Sequence, residues 1–176
     1  MTNLLLYRFL IFNALVFAGM VWLHDQGHVR PILDGDRTFI VFGIIALFVT
    51  ATLATAFHVA RTALRLNEQK RDGRVFGRPG EREKADVKLE WIAETGERLV
   101  GLGLIGTVIG FSIALSGIDP GSLVEASGVQ QSIETLIAGM RVALNTTIVG
   151  SVLGLWHGVN WRILETGHQI YWANRS

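Results

Sequence analysis

Four apolar stretches constrain the fold of this chain more than any other feature of its sequence. They cover residues 4–23, 39–60, 99–116 and 142–161. A helix needs about 20 apolar residues to cross the ~30 Å hydrocarbon core of a bilayer. Hydrophobic residues make up 49% of the chain and charged residues only 18%, unlike in a soluble domain. The sequence therefore predicts an all-α integral membrane protein with four transmembrane helices, in a single membrane domain over residues 1–176.

The first stretch also allows a second interpretation, a cleaved secretory signal peptide. Arg8, however, lies inside its apolar run, and no cleavage site of small residues follows it. We therefore expect the first stretch to be a retained helix.

The basic residues predict how the four helices are oriented. Ten of the sixteen Lys and Arg residues lie in residues 61–98, none lies in residues 117–135, and only Arg30 and Arg37 lie in residues 24–37. Basic residues concentrate on the cytoplasmic side of a membrane protein. We therefore predict that residues 61–98 and both termini are cytoplasmic, and that the two short loops lie outside.

Residues 61–98 are predicted to be a cytoplasmic helical segment that continues the second span. Gly and Pro residues in VFGRPG, residues 75–80, indicate a turn. The amphipathic helix after this turn leads into the third span. Its apolar face is predicted to contain Val87, Trp91, Ile92 and Leu99.

The segments on either side of the fourth span are predicted to be separate from it. Asp119, Pro120 and Gly121 are turn signals within an outer loop over residues 117–134. Residues 162–176 are predicted to form a short C-terminal interfacial helix, because their aromatic residues are typical of the inner membrane interface.

Small residues recur at three- or four-residue steps along the third and fourth spans, which places them on one face of each helix. Lipid provides no hydrophobic drive for helix association, so such faces are typical of closely packed helices. We predict that these faces pack inside an assembly and form the wall of a pore. The residues are Gly103, Gly106, Gly110 and Ala114 in the third span, and Ala143, Gly150, Gly154 and Gly158 in the fourth.

Each small-residue face carries one threonine, Thr107 or Thr147. The simplest interpretation is that each hydroxyl bonds to a carbonyl of its own helix or links two helices. The alternative is that copies of each threonine form hydroxyl rings around a pore. Thr146 is turned about 100° from Thr147 and would then face a neighbouring helix. The residue pattern leaves both interpretations open.

The second, third and fourth spans contain no Asp, Glu or Lys. Intramembrane carboxylates are the usual proton relays, so a proton path here would need an acid from a partner. His58 and His157 are expected to be packed or interfacial rather than relays. Arg141 precedes the fourth span, where it either extends to the interface or forms a charged site at the outer mouth.

Several function classes receive no support from the sequence. A net charge of +1 does not indicate a nucleic-acid partner, and the chain has no cysteine. No nucleophile–base pair or metal-ligand pattern is visible, so we expect neither an enzyme nor a bound cofactor. A small-solute transporter would more often show inverted repeats and broken helices, and neither is visible.

Two segments resemble the core helices of the MotA/TolQ/ExbB proton-channel family. The first is LGLIGTVIG, residues 102–110, which is similar to the family's LGLLGTVxG-like helix. The second is IAGMRVALNTTIVGSVLGLWHGVNW, residues 137–161, which is similar to the family's I-x-x-A-L-x-T-T-x-x-G helix with an Asn near its inner end. The resemblance covers residues 99–161, and the matching residues of the second segment are Ala143, Leu144, Thr146, Thr147 and Gly150.

This resemblance implies a homopentamer in the bacterial inner membrane whose third and fourth helices line a central pore. The pore would hold a dimer of single-span partners like MotB, TolR or ExbD, each with one membrane Asp. Flow of H⁺ or Na⁺ past that Asp would drive rotation or mechanical work. Thr107 and Thr147 would line the ion path.

The chain also departs from the family pattern. Family members often have proline where this chain has Val100 and Trp156, and TolQ- or ExbB-like members have glutamate near Arg141. The cytoplasmic segment is shorter than that of flagellar stators, so we do not expect a flagellar role. The main alternative function is a membrane scaffold with glycine-packed helices and no ion path.

Overall fold

The computed structural model describes residues 4–35, 38–72, 81–118, 121 and 126–173, and every regular element in these ranges is a helix. Four of the five helices are long and apolar enough to cross a membrane. This confirms the predicted all-helical fold with four candidate spans. The helices are α1 (Leu4–Asp25), α2 (Arg30–Asp34), α3 (Ile40–Asp72), α4 (Glu81–Ser116) and α5 (Ala126–Ala173).

Helices α3 and α4 both extend well past the apolar spans. Helix α3 continues to Asp72 without a break, which agrees with the prediction that a charged helical segment extends the second span. Helix α4 begins at Glu81, so the predicted amphipathic helix and the third span form one helix. The turn predicted at residues 75–80 lies outside the described residues, as do Asp119 and Pro120 of the outer turn.

The secondary structure predicted around the fourth span was wrong on both sides of it. Helix α5 has 48 residues, which at ~1.5 Å each gives a length of about 72 Å. It includes residues 126–134, predicted as loop, and residues 162–173, predicted as a separate short helix. The physical reason is that no proline interrupts this segment, and its glycines are isolated. An isolated glycine costs a helix only about 1 kcal/mol.

The described helices contribute to two compact units. The first contains residues 4–22, 48–72, 81–96 and 155–173, from α1, α3, α4 and α5. Its core brings one apolar face of each helix together, so that every long helix takes part. The buried side chains of this core are Phe9, Val59, Leu89, Ile92 and Leu164.

The buried face of α4 differs in part from the predicted one. Ile92 is fully buried as expected, but Val87 and Trp91 are 64% and 43% exposed. Leu89 and Thr95, three residues to either side of Ile92, are buried instead. Residues three apart lie on the same helix face, whereas Val87 and Leu89 point in nearly opposite directions.

A pair of asparagines attaches α1 to α5 in the first unit. Asn13 Nδ2 donates to Asn160 Oδ1 at 2.8 Å, and Asn160 Nδ2 donates back to Asn13 Oδ1 at 3.1 Å. Trp156 Nε1 also donates to Asn13 Oδ1 at 2.8 Å, and its ring lies against Phe48 with centroids 4.8 Å apart. We call Asn13, Trp156 and Asn160 the amide lock. It fixes a helix that otherwise buries little surface, since only 6% of the most apolar stretch of α1 is buried.

We expect Asn13→Leu to destabilise the protein more than Asn160→Leu. The first change removes the partner of both the Trp156 N–H and the Asn160 amide, whereas the second leaves Asn13 bonded to Trp156. Polar contacts between membrane helices contribute roughly 0.6–2 kcal/mol each. Unfolding in detergent micelles measures the difference, with Phe17→Leu on the exposed side of α1 as the control.

The double variant Asn13→Leu, Asn160→Leu completes this comparison. Removing both amides together leaves fewer polar groups without a partner, so its loss should be smaller than the sum of the two single losses. Strictly additive losses would show that the two amides do not act as a pair.

The second unit contains residues 23–35, 38–47, 97–118, 121 and 126–154. Within it the short helix α2 lies against α5. Asn145 Nδ2 donates to the carbonyl of Ile32 at 3.3 Å and lies 3.5 Å from that of Pro31. Carbonyls in the last turn of a helix lack an amide donor from a following turn. The Gly35 N–H reaches the Pro31 carbonyl at 3.2 Å, so the Ile32 carbonyl is the one that gains its donor from Asn145.

Candidate functional site

Helices α4 and α5 approach each other with their backbones almost in contact in the second unit. A Cβ atom built on Gly106 would lie 2.5 Å from the Thr146 side chain, and one on Gly150 would lie 2.7 Å from the Leu99 carbonyl oxygen. A Cβ on Gly103 would lie 2.9 Å from the Thr146 carbonyl oxygen. The contact runs antiparallel, since Leu99 and Gly103 meet Gly150 at one end.

The same contact continues along the helices to Gly110 and Ala114. A Cβ on Gly110 would lie 2.6 Å from the Gly139 carbonyl oxygen and 2.8 Å from Ala143 Cα. Ala114 and Ala143 are 1% and 3% exposed. The structure therefore places these predicted packing residues in one shared interface between two helices of the same chain.

Two glycines of this interface are absent from the prediction. A Cβ on Gly139 would lie 2.5 Å from the Gly110 carbonyl oxygen, and one on Gly117 would overlap the side chain of Thr135. Gly139 lies four residues before Ala143 and so extends the predicted stripe by one turn. The signal was present, but residue 139 lies before the apolar run that defined the fourth span.

The other predicted packing glycines lie in the C-terminal half of α5. Gly154 is buried. A Cβ on Gly158 would meet nothing within 4 Å, so this chain gives Gly158 no close helix contact. That Gly158 packs against a neighbouring copy of the chain remains a prediction.

The hydroxyls of Thr107 and Thr147 meet across the α4–α5 interface, where they hydrogen-bond to each other. Each also bonds to the carbonyl four residues earlier in its own helix, Thr107 to Gly103 and Thr147 to Ala143, both at 3.1 Å. Both residues are half-buried. We call them the hydroxyl pair.

Counting protons shows what the hydroxyl pair can do chemically. Each hydroxyl has one proton and two lone pairs. If Thr107 donates to Thr147, Thr147 donates to the Ala143 carbonyl; if Thr147 donates to Thr107, Thr107 donates to the Gly103 carbonyl. Both arrangements use both protons and leave three of the four lone pairs unused, two of them on the hydroxyl that donates to the other threonine. The pair can therefore accept a hydrogen bond from a protonated group or contact a cation.

Thr146 occupies a different environment from its neighbour. It is fully buried, and its hydroxyl bonds to the Val142 carbonyl at 2.9 Å. Its side chain fills the space beside Gly106. Thr146 thus faces a neighbouring helix, as expected from the 100° rotation, and that helix is α4 of the same chain.

Arg141 lies beside α2 in the second unit. The side chain is exposed, and its Cδ would lie 2.8 Å from a Cβ built on Gly35. The methylene stem of Arg141 therefore packs on a residue with no side chain. This contact positions the methylene groups of Arg141, while the exposed side chain keeps its charge accessible.

His157 is a packed histidine in the first unit. Its side chain is fully buried, and Nε2 lies 2.7 Å from the Ile92 carbonyl oxygen. Nδ1 has no hydrogen-bond partner among the described residues. Within the described ranges, no group of three His, Asp or Glu side chains is arranged to hold a metal ion.

Comparison with known proteins gives one match. The family model described as the MotA/TolQ/ExbB proton channel family matches residues 77–167, more than half of the chain. These residues include the hydroxyl pair and the α4–α5 interface. Searches of curated proteins and of solved structures returned no match. The chain is a multi-pass membrane protein and belongs to the MotA/TolQ/ExbB proton channel family.

Proposed function

We propose that the chain is the channel and stator subunit of an ion-driven machine in the bacterial inner membrane. Five copies surround a dimer of single-span partners and use the flow of H⁺ or Na⁺ to produce rotation or mechanical work. The observation that carries this proposal is the half-buried hydroxyl pair, which lies on the helices that match the proton-channel family.

The spans themselves explain why a partner is required. The second, third and fourth contain no Asp, Glu or Lys that could take up and release an ion. The hydroxyl pair offers an acceptor but has no charge that changes during transport. An acid on a partner, moving past hydroxyls of successive copies, supplies the missing titratable group. The predicted orientation places both termini and residues 61–98 in the cytoplasm.

The resting hydrogen bonds also favour a second candidate function. Both hydroxyl protons have acceptors within the hydroxyl pair and its two helices. The threonines are therefore also consistent with a purely structural role, in which they only link α4 to α5. The chain would then be a membrane scaffold with no ion path, and its copies would assemble without conducting.

Reconstitution tests the proposed function. We expect the chain and a co-expressed single-span protein with one membrane Asp to purify together in a ratio of five to two, measured by native mass spectrometry. In vesicles, a pH-sensitive dye should report proton entry under an imposed potential, and a sodium-sensitive dye should report sodium entry if Na⁺ is the ion. Asparagine in place of the partner Asp should stop the flux.

Other copy numbers and other flux results would decide against this function. A monomer or tetramer would contradict the ring. Absence of both fluxes from an intact five-to-two complex would favour the scaffold.

A further inference from the structure

The carbonyl oxygen of Ala143 lies within hydrogen-bonding distance of three threonine hydroxyls in the second unit. The hydroxyls of Thr146 and Thr147 are both 3.1 Å from it, and that of Thr107 is 3.4 Å from it. A carbonyl oxygen has two lone pairs, and inside an α-helix one of them accepts the N–H four residues later. The Ala143 carbonyl can therefore take a full hydrogen bond from only one of these hydroxyls at a time.

Thr146 has a second acceptor within its own helix. Its hydroxyl oxygen lies 2.9 Å from the Val142 carbonyl oxygen, slightly closer than the 3.1 Å to that of Ala143. A hydroxyl has one proton, so it makes a full hydrogen bond to one of these carbonyls or to the other. Rotation about the C–O bond of Thr146 moves this proton between them, while the buried side chain stays in place beside Gly106.

The acceptor that Thr146 uses sets the direction of the hydrogen bond within the hydroxyl pair. When Thr146 donates to Val142, it leaves the Ala143 carbonyl available. Thr147 then donates to that carbonyl and accepts from Thr107, which keeps both of its lone pairs unused. When Thr146 donates to Ala143 instead, Thr147 donates to Thr107, and the hydroxyl with two unused lone pairs is that of Thr147.

This direction decides which of the two helices offers more lone pairs to a passing acid or cation. Thr107 lies on α4 and Thr147 on α5, so a group that crosses the interface meets one hydroxyl before the other. The better acceptor follows the group only if the hydroxyl pair reverses its direction. Each reversal removes the Thr147 proton from the Ala143 carbonyl or returns it there. A second donor at that carbonyl makes the reversal easier, because lost hydrogen bonds are costly in a buried site.

We propose that Thr146 is a positioning residue of the ion path, whose hydroxyl bonds to the Ala143 carbonyl whenever Thr147 leaves it. Thr146 is fully buried against α4, so it acts through the hydroxyl pair and not by touching the ion. Each proton stays on its own oxygen, and the three hydroxyls only rotate. This role rests on the proposed channel function, and it applies to H⁺ and to Na⁺, because both would use the unused lone pairs.

Thr146→Val and Thr146→Ser distinguish this role from simple packing, because the two roles predict opposite results. Valine keeps the shape beside Gly106 but lacks the hydroxyl, so ion flux through the complex in vesicles should fall about two- to tenfold. Serine keeps the hydroxyl but lacks the methyl group, so its flux should stay near that of the wild type. A residue that only fills space would tolerate valine better than serine. Flux is measured with the ion-sensitive dyes and compared at equal amounts of five-to-two complex.

A double-variant cycle tests whether Thr146 acts through Thr147. Without the Thr147 hydroxyl the pair has no direction to set, so Thr146→Val should cause no further loss of flux in a Thr147→Val background. Thr55→Val is the matched control and should conduct as the wild type does. Thr55 is also fully buried and donates to a carbonyl of its own helix, that of Ala51 at 2.8 Å, but it lies in the first unit.

Three results would overturn the positioning role. They are wild-type flux from an assembled Thr146→Val complex, equal losses from the valine and serine variants, and full additivity with Thr147→Val. If the valine variant does not assemble, Thr146→Ala compared with Thr146→Ser isolates the same hydroxyl, since the two differ by it alone. Wild-type flux separates this role from the channel function, because a wild-type complex that conducts neither ion contradicts both, whereas a conducting one leaves the channel function standing.

Discussion

Replacement of Thr107 and Thr147 together by valine should lower ion flux about 10- to 100-fold while the protein stays folded. Valine has nearly the shape of threonine. Removing both hydroxyls together means that neither is left without its hydrogen-bond partner. The variant loses the accepting oxygen of the hydroxyl pair. Loss of one such contact in a dry site costs about 1–3 kcal/mol, and 1.4 kcal/mol is a tenfold change. Dye-reported flux in vesicles measures it.

The single variants and two control threonines sharpen this experiment. Each single valine variant keeps one hydroxyl, which bonds to its own helix and still has lone pairs available. The flux through a single variant should therefore lie between those of the wild type and the double variant. Thr95 and Thr166 also bond to carbonyls of their own helices, at 2.8 Å, but lie in the first unit. Their valine variants should conduct normally. Full flux from the double variant would end the ion-path interpretation and leave the scaffold.

Gly110→Ala should destabilise the protein by about 1–3 kcal/mol, because its Cβ would overlap the backbone of α5. The atoms it meets belong to Gly139 and Ala143, and backbone cannot rotate away as a side chain can. Gly110→Leu should prevent the α4–α5 contact altogether. Thermal unfolding in detergent measures the loss for each variant.

Gly101→Ala provides the opposite expectation on the same helix. A Cβ on Gly101 meets nothing within 4 Å, so only the higher helix propensity of alanine remains, worth up to about 1 kcal/mol in favour of folding. A cysteine pair reports the contact itself. The chain has no cysteine, so Thr107→Cys with Thr147→Cys, at positions whose hydroxyls hydrogen-bond across the interface, should cross-link in an otherwise unchanged chain and fail with Gly110→Leu. Equal stability of the Gly110 and Gly101 variants would contradict the close contact.

Much of the fold followed from local patterns in the sequence. Apolar length located the four spans, and the three- and four-residue spacing of glycines located the α4–α5 interface. Both patterns depend only on neighbours within a few turns of one helix. The length of α5 was missed because polar residues such as those at 126–135 are compatible with loop and with helix alike, and only the absence of proline favoured helix.

The candidate site was predictable in its residues but not in its bonding. Residue spacing placed Thr107 and Thr147 on packed helix faces. The hydrogen bond between their hydroxyls, however, depends on the register between α4 and α5, which the spacing does not give. The amide lock was beyond local reasoning for the same reason, since Asn13 and Asn160 share no sequence pattern.

The amide lock has a consequence for how the protein is made. Asn13 and Asn160 are 147 residues apart, so at roughly 5–20 residues per second the ribosome needs about 7–30 s to supply the partner. During that time α1 waits in lipid with a polar side chain. Asn13 Nδ2 also bonds to the Phe9 carbonyl at 2.8 Å, one turn back in its own helix. That local bond is available as soon as α1 forms. It therefore satisfies one N–H of the Asn13 amide until the last helix has been synthesised.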